Sequence, residues 1–191
     1  RLRSVDAIRR AIENPGELAF YIASNPSQLG VSTDLAIERA KVDAWILANP
    51  NRPLGEFNRL ATTDGGPSET MRWFPRRLPG GARGPLSERG LVAVTPPTDK
   101  FRFTGEDLDS VGISQDQLGY PAVAFSMKTS KSAAFGEFTG AHINEQMAIV
   151  LNGEVVTDPV LRAPLFGDAI IEGGDGGFTT EEVSELVQVL R

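Results

Sequence analysis

Apolar positions recur along the chain with two spacings, and the switches between them mark the predicted elements. Val5, Ile8 and Ile12 fall at i, i+3 and i+7 behind Ser4, a suitable cap, and Asn14-Pro15-Gly16 ends the run. Residues 2–14 therefore read as a short amphipathic helix. Leu18, Phe20 and Ile22 alternate as in a half-buried strand, closed by Asn25-Pro26. From a cap at Thr33 or Asp34 to about Ala48 the helical spacing returns. Leu35, Val42, Trp45 and Ile46 share one face, with Glu38, Arg39 and Lys41 outside it, and Asn49-Pro50 stops the helix.

Residues 51–100 carry many of the prolines, the pairs Gly65-Gly66 and Gly80-Gly81, and little periodicity until Leu91–Val94, a predicted strand ended by Pro96-Pro97. The stretch reads as a long loop with short strands or as a boundary between subdomains. Phe101 and Phe103 predict a short strand before Thr104-Gly105, and Val123, Phe125 and Met127 a longer one. Residues 130–139 read as a helix with Phe135 and Phe138 on one side.

Met147–Thr157 carries the pattern of a β-hairpin about Asn152-Gly153, a pair that tolerates the positive φ angles of a type I′ turn. Ile170 and Ile171 predict one more strand. Thr179 and Glu182 form a capping box, Phe178 and Val183 a hydrophobic staple, and Val183, Leu186, Val187 and Leu190 the buried face of a last helix. Mixed helices and strands with hairpin signals predict the α+β class.

Composition narrows the chemistry. The 191 residues include no cysteine and one histidine, with a formal charge of −6. Thiolate zinc sites, iron–sulfur clusters, a cysteine nucleophile and multi-histidine metal sites are excluded. The acidic balance argues against nucleic acid as a partner. No stretch approaches the roughly 20 apolar residues that cross a bilayer. The chain begins at Arg1 without a signal-peptide layout, so it reads as a piece of a longer protein or a processed one.

Several constellations have both a functional and an ordinary reading. Gly173–Gly177 opens onto a helix N-terminus, where phosphate can bind, but it lacks the P-loop lysine and is flanked by Glu172 and Asp175. A turn that lets strand and helix pack closely is the simpler reading. Asp168, Glu172 and Asp175 do not have the spacing of a calcium loop. His142 has no G-x-S-x-G partner motif and reads as an ordinary histidine. Arg72, Arg76, Arg77, Arg83 and Arg89 near Trp73 and Phe74 suit an extended polypeptide or a solvated loop. No carboxylate pair sits in a recognisable catalytic frame, so neither catalytic residues nor cofactor or metal ligands are assigned.

Six motifs in order resemble the SecD family, accessory subunits of the bacterial Sec protein-export channel, and more narrowly the large first periplasmic domain of SecD or of a fused SecDF. Gly16–Tyr21 resembles the strand that reads L-E-F-R, with Ala19 and Tyr21 replacing the Glu and Arg. Phe103–Leu108 resembles L-T-G-x-D-L, Tyr120–Phe125 resembles P-x-V-x-F, and Phe138-Thr139 with Asn144 resembles an F…T…N stretch. Ala148–Val155 resembles A-I-V-L-D-G-x-V, with Asn152 for the aspartate and Pro159 following. Glu145-Gln146 stands where Gly-Lys is usual. Ile170–Val183 with Leu190-Arg191 resembles I-x-G-x-F-T-x-E-E-A…L-R. The dense match covers 101–191, and residues 23–90 carry almost none of it.

The resemblance implies a ferredoxin-like base, incomplete because the chain begins after its first strand and ends before its last, with an inserted α+β head containing the hairpin. Residues 1–100 would supply base-type segments and a Pro/Gly-rich connection, 101–177 the head, and 178–191 a helix returning to the base. It implies a non-enzymatic domain on the periplasmic side of the inner membrane. Such a domain captures unfolded preprotein, with SecF and the Sec channel as partners, and supports export driven by the proton gradient. Membrane contact would come only through helices absent from this chain. Capture would fall to the head near the hairpin strands, with Val123, Phe125, Met127, Ile149, Leu151 and Val155 as contact residues. A docking module that touches the channel and not the cargo, or an enzyme with an acidic cleft, are the competing readings. A shallow apolar groove favours the first, a flat patch the second and a deep polar pocket the third.

Overall fold

The computed structural model describes residues 18–25, 35–78, 82, 84–173 and 177–190. The helix expected over 2–14, the cap at Thr33 or Asp34, Gly80-Gly81, Arg83, Asp175 and Arg191 lie outside the described residues. The strands are β1 (Leu18–Ala23), β2 (Arg72–Pro75), β3 (Leu91–Thr95), β4 (Leu108–Gln115), β5 (Pro121–Met127), β6 (Met147–Leu151), β7 (Glu154–Thr157) and β8 (Asp168–Ile171). The helices are α1 (Leu35–Ala48), α2 (Leu54–Asn58), α3 (Thr129–Gly140) and α4 (Thr180–Leu190). The class is α+β, as expected, and the sheets are antiparallel.

Five strands form one sheet in the order β2-β3-β1-β6-β7, and three form another in the order β4-β5-β8. Alternation along β1 sends its side chains two ways. Leu18, Phe20 and Ile22 lie opposite Leu151, Ile149 and Met147 of β6 and enter the largest core. Tyr21 and Ala23 enter a second cluster with Val92, Val94, Ala148, Val150, Val155 and Phe74, in which the Tyr21 and Phe74 rings stack at 5.5 Å.

The five-stranded sheet rolls around that second cluster. The chain beyond β2 meets β7 through a parallel bridge between Arg76 and Val155, and the Arg77 N–H donates to the Val155 carbonyl at 2.9 Å. An odd number of antiparallel strands brings its two ends together in parallel, so this bridge has the sense that closure requires. Ion pairs reinforce the seam. Arg76 grips Asp158 through both guanidinium ends at 2.8 and 2.7 Å, Arg89 pairs with Glu154, and Arg77 reaches Glu185 of α4 at 2.9 Å. The bond to Asp158 raises the Arg76 pKa above its already high ordinary value, with burial acting against it.

The outer face of the roll is covered in two places. Over β2 and β3 lie α1 and α2, which pack Val42, Ile46, Leu54 and Phe57 against Trp73 and Ala93. Over β1 and β6 lie the three-stranded sheet, α3 and α4 around a phenylalanine cluster. Phe135 stands edge-on to Phe20 at 5.4 Å and to Phe103 at 5.0 Å. The hairpin turn has φ of 51° at Asn152 and 77° at Gly153, the positive angles that Asn-Gly predicts. The α4 capping box is present in both directions, at 3.1 Å from the Glu182 N–H to Thr179 Oγ1 and 2.9 Å from the Thr179 N–H to the Glu182 carboxylate.

Two expectations change, and one stretch gains a strand within the reading given for it. Residues 101–103 are not a strand; a 3₁₀ turn covers Asp99–Phe101, and the side chain of Phe103 is buried among the other phenylalanines. Glu38 is not outside its helix: it is buried, accepting from Lys41 Nζ at 2.7 Å and from the Ser68 N–H at 3.0 Å. Both partners offset the cost of withdrawing its charge from water. The 51–100 stretch contributes strand β2, whose outer edge is occupied by one side chain. Asn58 accepts the Trp73 N–H at 2.9 Å and donates to the Trp73 carbonyl at 2.7 Å.

Candidate binding groove

An open groove of about 990 Å³ lies between β8 and the irregular segment 159–165. Its lining includes Phe125 from β5 and Met147 and Ile149 from β6, all buried members of the main core. One wall is Asp168–Glu172, and the other is formed by Pro159–Ala163 and Leu165. Val160 and Ile170, one on each wall, remain 37% and 49% exposed, so apolar surface is open to solvent on both sides.

The family-like motifs explain why the second wall stands where it does. Thr139, fully buried on α3, donates its hydroxyl to the Phe135 carbonyl and accepts the Leu165 N–H, both at 2.8 Å. Asn144 adopts φ of 68°, and its N–H donates to the Leu161 carbonyl at 2.8 Å. Its left-handed backbone is one that asparagine adopts more readily than most residues. Gly136 leaves room for the Phe166 ring, which a Cβ there would approach to 2.0 Å. Phe103-Thr104-Gly105-Glu106-Asp107-Leu108 is likewise a structural device. The Asp107 carboxylate accepts the Thr104 N–H at 2.9 Å, capping the turn that feeds β4.

The six residues expected to receive polypeptide are all buried. Phe125 and Ile149 contribute to the groove lining, Val123, Met127 and Leu151 lie in the same core, and Val155 faces the inside of the rolled sheet. Strand alternation identifies the face turned from water, so it selects core residues. The surface around the groove comes from Val160 and Arg162, which sequence periodicity did not single out, and from Ile170, which was read as a strand residue and not as a contact. The arginine-rich segment is committed elsewhere: Arg76, Arg77 and Arg89 close the seam, and Arg72 donates to the Met71 and Ser68 carbonyls.

The groove carries little acid–base chemistry. Its ionisable lining groups are Arg162, Asp168 and Glu172, and no cluster of potential metal ligands occurs among the described residues. A smaller cavity of about 490 Å³ is lined by Pro96, Pro97, Phe101, Phe138, His142 and Glu145 among others. There His142 Nδ1 pairs with the Glu145 carboxylate. Gly173, flagged with the glycine-rich loop, is a packing position, because a Cβ on it would lie 2.4 Å from the Phe178 nitrogen.

Comparison with known proteins agrees with this architecture. SecD of Rhodobacter capsulatus is 40% identical over 88 residues, a match covering 46% of this chain and 16% of the relative. SecD of Aquifex aeolicus is 39% identical over 89 residues, covering 47% and 17%. The chain thus spans about a sixth of the length of these relatives. A solved structure of SecDF, described as a membrane component that enhances protein export, aligns over 100% of this chain and 69% of its own, with 25% identity and a TM-score of 0.53. No described helix is long and apolar enough to cross a membrane. The family model for the SecDF P1 head subdomain matches residues 92–191, just over half of the 191 residues, and the chain belongs to that family.

Proposed function

We propose that this chain serves protein export through the Sec channel by holding unfolded preprotein in the groove between β8 and residues 159–165. The observation that carries the reading is the groove itself. It is open and rests on Phe125, Met147 and Ile149, with exposed apolar side chains on both walls. Such a surface gives broad contact without selecting one sequence, which suits a cargo presented as an extended chain. Five of the buried residues, Val123, Phe125, Met127, Ile149 and Leu151, then act as the groove's support, and the contacts belong to Val160 and Ile170. In the full-length protein the domain would stand on the periplasmic side of the inner membrane, on a ferredoxin-like base, beside SecF and the channel. The proton gradient would drive the movement of a loaded head.

Binding of a reduced, unfolded test protein to the 191-residue chain, with its folded form as control, tests the reading. The unfolded form binds and the folded form does not. Val160→Asp weakens binding about tenfold, because ~1.4 kcal/mol of apolar contact is lost at an exposed position. Equal binding of both forms, or no effect of Val160→Asp, contradicts it.

A further inference from the structure

The groove is bordered by main-chain groups as well as side chains, and ladder parity shows which ones. The β5–β8 register pairs Val123 with Ile171, Ala124 with Ile170, Phe125 with Ala169 and Ser126 with Asp168. Just before β8, the Met127 N–H donates to the Gly167 carbonyl at 3.3 Å. In an antiparallel ladder, bonded and non-bonded pairs alternate. Ala169 and Ile171 therefore turn their N–H and C=O groups toward β5, while Asp168 and Ile170 turn theirs to the opposite edge. β8 is the last strand of its sheet, so among the described residues that edge has no strand beside it.

The facing wall has a matching feature. Val160 bridges Gln146 in antiparallel sense. The bonds of that bridge run from the Met147 N–H to the Pro159 carbonyl and from the Leu161 N–H to the Glu145 carbonyl, both at 2.9 Å. This is the non-bonded type of pair, in which the residue's own N–H and C=O point away from its partner strand. Val160 thus directs its main-chain groups away from Gln146, and it lines the same groove as Ile170. Of the other sheet edges, β2 is covered by the Asn58 side chain, β7 meets the chain after β2, and β4 is the far edge of the three-stranded sheet, across β5 from β8.

We infer that preprotein is held by strand addition to the free edge of β8, as an extended segment that is apolar at its centre and basic at its ends. This rests on the reading of the groove as the polypeptide site and specifies how it binds. The outward side chains along β8 and at the residue just after it run Asp168, Ile170, Glu172, and neither carboxylate has an ion-pair partner among the described residues. A strand added at this edge sets its own side chains beside that row, where opposite charges across strands attract and like charges repel. Its alternate side chains turn toward the groove lining of Phe125, Met147 and Ile149. Arg162 stands on the facing wall, so the preference for basic ends is written by β8 and not by the groove as a whole. The four residues of β8 span about 13 Å, which sets the grip at about four residues of cargo by the same rise.

Ile170→Pro tests the inference when compared with Ile170→Ala: both lose the isoleucine side chain, and only the proline loses the N–H that points to the free edge and takes no part in the β5 ladder. Proline is tolerated where a strand's N–H faces outward. The probe is a fluorescent heptapeptide with lysines flanking three valines, titrated against the 191-residue chain by anisotropy. Ile170→Pro, with an unchanged melting curve, weakens binding about tenfold relative to Ile170→Ala. Methylating alternate amide nitrogens of the peptide does the same with the unaltered protein, a control independent of the variant's folding. Replacing the lysines by glutamates weakens binding to the unaltered chain, and Asp168→Lys reverses that order. Should the peptide and unfolded protein both fail to bind, the groove reading and this inference fall together. Should unfolded protein bind, with Ile170→Pro equal to Ile170→Ala and no effect of amide methylation, strand addition alone is overturned. A concentration-dependent dimer abolished by Ile170→Pro would assign the edge to a second copy and overturn the inference as well.

Discussion

Phe135→Ala lowers the stability of the domain by about 3–5 kcal/mol, the range for truncating a buried aromatic. Phe135 is fully buried and touches three elements at once. Its ring lies 5.4 Å from Phe20 of β1, 5.0 Å from Phe103 before β4, and 6.3 Å from Phe125 of β5. The cavity left by truncation cannot collapse easily, because its walls come from both sheets. A stability of about 5–15 kcal/mol is usual for a domain, so the loss is a large share of the total. Urea unfolding followed by circular dichroism measures it as a lowered midpoint. A loss under about 1 kcal/mol would contradict the placement of Phe135 at the centre of the core. The variant also loosens the groove, since Thr139, one turn along the same helix, accepts the Leu165 N–H.

Gly173→Val has the second largest effect, a destabilisation of about 3 kcal/mol, at the upper end of the usual range for overpacking. A Cβ at residue 173 would meet the Phe178 nitrogen at 2.4 Å and the Gly177 carbonyl carbon at 2.5 Å. These are backbone atoms, so relief requires the chain leaving β8 to separate from the start of α4. Phe178 packs against the main core there. Gly55→Val is the control, because a Cβ at that glycine meets nothing within 4 Å. It changes stability only by the ordinary difference between helix propensities, under about 1 kcal/mol and in favour of valine. Equal midpoints for the two variants would contradict the close approach at Gly173.

These two positions show what the sequence makes legible. Gly173 was readable as a close-packing turn because it lies between a predicted strand and a capping box. Phe135 was readable as the buried side of a helix. The strands with clean alternation, β1 and β5, were equally plain, as was the Asn-Gly hairpin of β6 and β7. β4 was not: Asp109, Ser110, Gly112 and Ser114 interrupt its apolar positions, and it is a strand because β5 pairs along its length. β2 reads as an arginine–aromatic patch, and its partner Asn58 lies outside the strand, linked only by the fold. Glu38 shows the same limit in reverse. A carboxylate on a helix reads as a surface group until the Ser68 N–H that receives it is in place.

The site was legible in part. Phe138-Thr139 and Asn144 stand in the family-like motifs, and their hydrogen bonds to Leu165 and Leu161 hold the wall at 159–165. Val160 and Arg162 of the groove lining were not legible, because the wall at 159–165 has no period from which a face can be read. The apolar pattern of β5 and β6 reports burial, and Phe125, Met147 and Ile149 lie beneath the groove. Irregular segments held by a rigid frame are a common place for binding surfaces.

The central claim is that extended polypeptide lies between Val160 and Ile170. A photo-crosslinking side chain placed at residue 160 or 170 tests it most directly, with unfolded, reduced protein as target. The same group at Leu47, 79% exposed on α1, serves as the reference for chance contact. Cross-links from 160 and 170, absent from 47 and lost when the target is folded, are the predicted result. Cross-links from 47 at equal yield, or none from either wall, would contradict it.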